Sequence, residues 1–231
     1  MKKKVTFLIL ATLLVILTSI YAWSGSQTTS SSTAANLITK IRYYLHEPSA
    51  VFWTDAELVS YLNDAVYDVV GKTRCTETIE TESLTSGTTQ YTLSTSYLAI
   101  TGVIYFDGTV YKGLLPGTIA SLGHYDEAID EPEFWVEWNN KLMVYPIPAT
   151  SGTSAIVYMV PKPSGVTATT SAIETPAVYD RALIIYATAQ AFYKDGKFGF
   201  GDRLMQQYTS ELDRFRMDFS EKTSPKKEIV R

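Results

Sequence analysis

With one cysteine, Cys75, and two histidines, His46 and His124, among 231 residues, the chain can form no intramolecular disulfide. It also lacks the ligands of a zinc site unless carboxylates complete the set. Basic residues are few: Lys and Arg total 20 against 24 Asp and Glu, for a formal charge of −4 that becomes −7 once Lys2, Lys3 and Lys4 are set aside. Phosphate contacts need clustered cations, so general nucleic-acid binding is disfavoured. No Gly-x-Ser-x-Gly elbow occurs. The run Gly196-Lys197-Phe198-Gly199-Phe200-Gly201 follows a helical pattern rather than a strand and has no Lys-Ser/Thr ending, which makes it a helix–helix turn and not a phosphate loop. Asp126, Glu127, Asp130, Glu131 and Glu133 form the densest acidic run, without the alternating Asp/Asn and Gly of a calcium loop. The sequence therefore offers no catalytic residue, metal site or cofactor site.

What the chain does have is a well-written helix. In Trp53–Val70, Thr54 is an N-cap candidate with Glu57 three residues on, a capping-box spacing, and Asp55 and Glu57 complement the helix dipole. Leu58, Tyr61, Leu62, Ala65, Val66 and Val69 recur at helical spacing, and Gly71 is read as the stop. Upstream, Leu37, Ile38, Ile41, Tyr44 and Leu45 make a shorter amphipathic helix ending before Pro48. The two form a helical hairpin over residues 36–72. From 73 to 174 the pattern alternates: strands are expected at 76–82, 89–93, 100–106, 110–111, 134–138, 141–145 and 155–160. Asp107-Gly108 and Asn139-Asn140 mark tight hairpins, and 117–122 a short helical turn. Helix returns at Thr175-Pro176, with an apolar segment over 177–194 and a last helix over about 202–219.

These motifs, in this order, resemble the tailed-phage head-tail adaptor (connector) proteins. The likeness rests on the Glu-Pro-Ser turn, Trp53-Thr54-Asp55-Ala56-Glu57-Leu58 and Tyr61-Leu62-Asn63-Asp64-Ala65. It continues in the Tyr105-Phe106-Asp107-Gly108 hairpin, the Leu142–Pro146 strand, and Thr175–Tyr193 followed by Lys194-Asp195-Gly196. The resemblance implies an α+β fold, a four-helix adaptor-type bundle with an inserted antiparallel β domain, completed by the C-terminal helix pair at 175–219. It implies a virion structural protein without enzymatic activity or cofactor, assembling as a homo-oligomeric ring between the portal and the tail or stopper protein. DNA would pass through that ring without sequence-specific binding.

Two further features bear on partners. The tail, 220–231, carries Lys222, Lys226, Lys227 and Arg231 with Ile229 and Val230 as its only aliphatics, a candidate arm for docking on the portal. Trp135 and Trp138 differ by three, so a strand sends them to opposite faces; together with Tyr145 they are candidate exposed interface aromatics. The N-terminus points elsewhere. Lys2–Lys4 followed by nineteen uncharged residues, 5–23, over a segment 1–24, resembles a signal peptide or membrane anchor, and a Ser/Thr-rich linker, 25–35, follows. This supports an alternative, an exported or membrane-anchored β-rich module binding carbohydrate or protein through its aromatics.

Overall fold

The structure is a computed structural model that describes residues 32–122 and 129–223. The leader, residues 1–24, and most of the linker lie outside the described residues, as do residues 224–231.

Helix α1, Ala34–Leu45, begins two residues before the expected Asn36, because the segment ahead of it is tied down. Thr33 bridges to Ala172, and the N–H of Ala34 donates to Ser171 O. It ends at His46, whose left-handed φ of 54° returns its N–H to Arg42 and Tyr43 carbonyls. Helix α2, Asp55–Thr73, starts on the expected capping box: Thr54 Oγ1 accepts from Glu57 N–H, and Glu57 Oε2 accepts from Thr54 N–H. Gly71 does not stop it. The helix runs on to Thr73, with Arg74 as the left-handed cap, since burial of Val69 and Val70 and packing of Cys75 on the core outweigh the roughly 1 kcal/mol cost of a helical glycine.

The strands follow between α2 and the next long helix. They are β1 (Thr78–Leu84), β2 (Gln90–Thr92), β3 (Tyr97–Phe106), β4 (Tyr111–Pro116), β5 (Ile129–Asp130), β6 (Phe134–Trp138), β7 (Lys141–Tyr145), β8 (Ile147–Pro148) and β9 (Thr153–Pro161), with α3 (Ile119–Leu122) after β4. Seven of them order as β1-β9-β3-β4-β6-β7-β2, antiparallel except at β4–β6; β5 and β8 pair in parallel. The two outer strands, β1 and β2, are consecutive in sequence and joined by only residues 85–89, a link of at most about 18 Å. A flat seven-stranded sheet would separate them further, so the sheet curls towards a nearly closed barrel around Leu84, Tyr91, Val103, Leu142 and Val157. Both expected hairpin turns form: Gly108 has φ 101°, and Asn139 and Asn140 have φ of 51° and 60°.

After β9 a 3-10 turn, Ala177–Tyr179, precedes α4, Asp180–Lys194, so Thr175 does not cap a continuous helix from 177. Helix α4 is apolar on nearly all sides, as a central helix must be, and contacts α1, α2 and α5. Helix α5, Phe198–Thr223, is longer than expected at both ends. Gly199 and Gly201 lie in its first turn rather than in a loop, and Gly201 admits the Tyr193 ring: a Cβ there would stand 2.4 Å from a ring carbon. The four longer helices share one core with Leu37, Leu62, Leu183 and Tyr208 at its centre.

Candidate interaction surfaces

The turn between α1 and α2 is held by charge. Glu47 Oε1 accepts the N–H groups of Val51, Phe52 and Trp53 at 2.9, 2.9 and 3.0 Å. Burial disfavours the Glu47 charge, but the three backbone donors and Arg42 outweigh it and keep the carboxyl below its ordinary value. Arg42, itself buried, reaches Asp55 Oδ1 at 2.6 Å and the Trp53 carbonyl at 2.9 Å. From α4, Lys194 donates to the Phe52 carbonyl and to Glu57 Oε1, and lies 4.5 Å above the Phe52 ring. Its hydrogen bond, with those from Thr54, pulls the Glu57 carboxyl down to about 2. The clamp is legible in hindsight as an arginine on the apolar stripe of α1 with acids at 47 and 55 after it. It fixes a tip on which Val51 is 79% and Phe52 46% exposed.

More aromatic surface surrounds the same end of the helices. Tyr43, Tyr44, Phe198 and Phe200 are all more than half exposed. Beside Tyr44, α1, α4 and α5 enclose a groove of about 620 Å³, floored by Ile184, Ile185 and Thr188 and walled by Lys40, Tyr44, Val178 and Leu204. Contiguous apolar exposure of this kind marks contact surfaces in soluble proteins.

On the β side, Trp138 is 60% exposed at the β6–β7 turn, whereas Trp135 is half-buried against the barrel core. Tyr145 is not an exposed partner for either. It is 5% exposed, packs with Val136 and Met143, and pairs with Phe134 at the far end of the ladder from Trp138. Strand β7 has buried residues on both faces, which an alternating pattern alone does not reveal. Of the tail residues, Lys222 falls in the last turn of α5 rather than in a tail, while Lys226, Lys227, Ile229, Val230 and Arg231 lie outside the described residues. The membrane-contact reading of residues 5–23 also falls outside them; among the described residues no helix is long and apolar enough to cross a membrane.

Among the described residues, which do not include His124, Asp126 or Glu127, chemistry-bearing side chains are dispersed. His46 is an exposed helix cap, and burial pushes the Cys75 thiol up. Glu131 and Glu133 of the acidic run flank Lys112 at 3.2 and 3.9 Å. Among the described residues no group of His, Cys, Asp and Glu could hold a metal ion.

Against this geometry, residues 32–226 match the family model described as SU10 adaptor protein. The chain belongs to this family. The match spans both helix pairs and every strand between them, and it begins where the described chain begins, so the leader lies outside it. The SU10 adaptors are a phage head-tail adaptor family with a structural role, which makes this chain a phage adaptor protein whose family interacts with portal and tail components of the virion. No curated protein matches the chain.

Proposed function

We propose that this SU10 adaptor is a ring-forming connector subunit that links the portal to the tail, its four longer helices acting as an adaptor-type bundle that forms the ring wall. The observation that carries this reading is the family match across residues 32–226. The exposed Tyr43, Phe52, Phe198 and Phe200 at one end of the helices supply the apolar area that neighbouring subunits need. The net negative charge of the body suits a wall past which DNA moves without adhering. Residues 224–231, with Lys226, Lys227 and Arg231 beside Ile229 and Val230, act as the portal-docking arm, their cations and two aliphatics suiting an acidic, partly apolar groove. Trp138 serves the tail-side contact.

Co-purification with a portal protein from the same phage tests the docking arm. Removing residues 224–231 takes away none of the described α5, Phe198–Thr223, and the expected result is a melting temperature nearly unchanged with portal binding lost. A truncated chain that binds the portal as well as the full one contradicts the arm's role.

A further inference from the structure

We infer, on the ring reading above, that the α1–α2 tip of one copy, carrying Val51 and Phe52, seats in the groove between α1, α4 and α5 of a second copy. A closed ring of identical subunits needs two different, complementary patches on each chain, because every contact is heterologous. The tip is built as a projection. Val51, Phe52 and Trp53 all give their N–H groups to Glu47 Oε1, the Phe52 carbonyl accepts from Lys194, and the Trp53 indole is bonded to the Ala191 carbonyl. Held in one shape, the loop still presents Val51 and Phe52 to water. An apolar pair on a fixed loop has little freedom left to lose on docking, which suits it to anchor an interface by filling a partner's pocket.

The groove is amphipathic, and both of its halves match the tip. Ile184 and Ile185 make an apolar floor, and the open volume of about 620 Å³ is of the size that encloses a small molecule, room for two such side chains. Its rim is basic. Lys40 is exposed and, among the described residues, pairs with no carboxylate. Arg181, whose side chain is 67% exposed, shares Glu211 with Arg214, so these three cations face only Glu211 and Asp180. The tip has the reverse balance, with Glu47, Asp55 and Glu57 around Arg42 and Lys194, and the Asp55 side chain is 56% exposed. Opposed patches of this kind fix the register in which two subunits meet. A chain cannot fill its own groove in this way: Trp53 fixes the tip at Ala191, about 17 Å along α4 from the Asp180 end.

The test places a photo-reactive phenylalanine analogue at position 52 of the full chain and mixes that protein with isotope-labelled copies lacking it, in the presence of a portal protein from the same phage. A second protein with the analogue at position 138, on the β layer, is the control. Irradiation and peptide mass spectrometry are expected to join position 52 to labelled peptides spanning residues 177–188 or 204–207, and position 138 to neither. Lys40→Glu in the labelled copies should lower that yield several-fold and leave their melting temperature unchanged. Where many copies join one portal, links from position 52 to any other surface, or none to a labelled copy, overturn the groove and leave the ring standing. Copies that bind the portal only singly overturn both. A groove link that Lys40→Glu leaves undiminished overturns the charge-matched seat.

Discussion

The indole N–H of Trp53 donates to the main-chain carbonyl of Ala191 across 3.0 Å, tying the α1–α2 turn to the central helix. That carbonyl also accepts from Asp195 N–H at the end of α4, so a single oxygen joins the start of α2 to the close of α4. Trp53→Phe removes the donor together with the second ring of the indole, which is buried in the helical core. The expected loss is about 2–3 kcal/mol, about 1 from the bond and the rest from the packing left unfilled, read as a lower urea midpoint with an unchanged slope; an unaltered midpoint would contradict both contributions.

The Glu57 carboxyl ties stability to acid. Its folded pKa of about 2 lies below the ordinary 4.5, so its contribution is fully present above about pH 4.5 and is lost as pH falls towards 2. Glu57→Gln is expected to flatten the melting temperature over that window and to leave the slope above it alone. Parallel curves for the two proteins through pH 2–4.5 would assign the acid sensitivity to other groups.

Much of this clamp's frame is readable from residues alone, and its wiring is not. Thr54 and Glu57 announce the start of α2 because a capping box is a local, four-residue device. The Asn139-Asn140 turn and strands 134–138 and 141–145 are equally local. Arg42 and Glu47 find their partners only once the turn folds back on the end of α1, and Lys194 only when α4 packs behind it, which no periodicity records. The same limit explains Tyr145, whose burial depends on strands that arrive from elsewhere, and Gly71, where packing beyond the glycine prolonged α2. The groove beside Tyr44 belongs to three helices at once and leaves no sequence motif.

The two glycines at the start of α5 should respond in opposite ways. A Cβ at Gly199 meets nothing within 4 Å, whereas one at Gly201 collides with the Tyr193 ring, which is held by its hydroxyl on Asp202. Gly199→Ala is expected to stabilise by about 0.4–1 kcal/mol through the unfolded chain, and Gly201→Ala to destabilise. Thermal melts of the pair decide it; an equal gain from both would mean that the Tyr193 ring moves at no cost.

Tyr208 is fully buried, and its hydroxyl donates to Asp68, which also pairs with Lys72 at 2.8 Å. Burial, then the bond to Asp68, raises the phenol well above its ordinary range, so the hydroxyl stays protonated throughout the working pH. Tyr208→Phe should cost about 1.5 kcal/mol, the lower end for a bond to a charged acceptor that retains a second partner. A melting temperature unchanged by the substitution would place the value of Tyr208 in its ring alone.

The proposed connector role is met most directly by native mass spectrometry of the full chain mixed with a portal protein from the same phage. The expected result is a closed complex in which many copies of the chain join one portal ring, with no open-ended series of larger species. A chain that stays monomeric beside an intact portal, or binds it as isolated single copies, would contradict the ring.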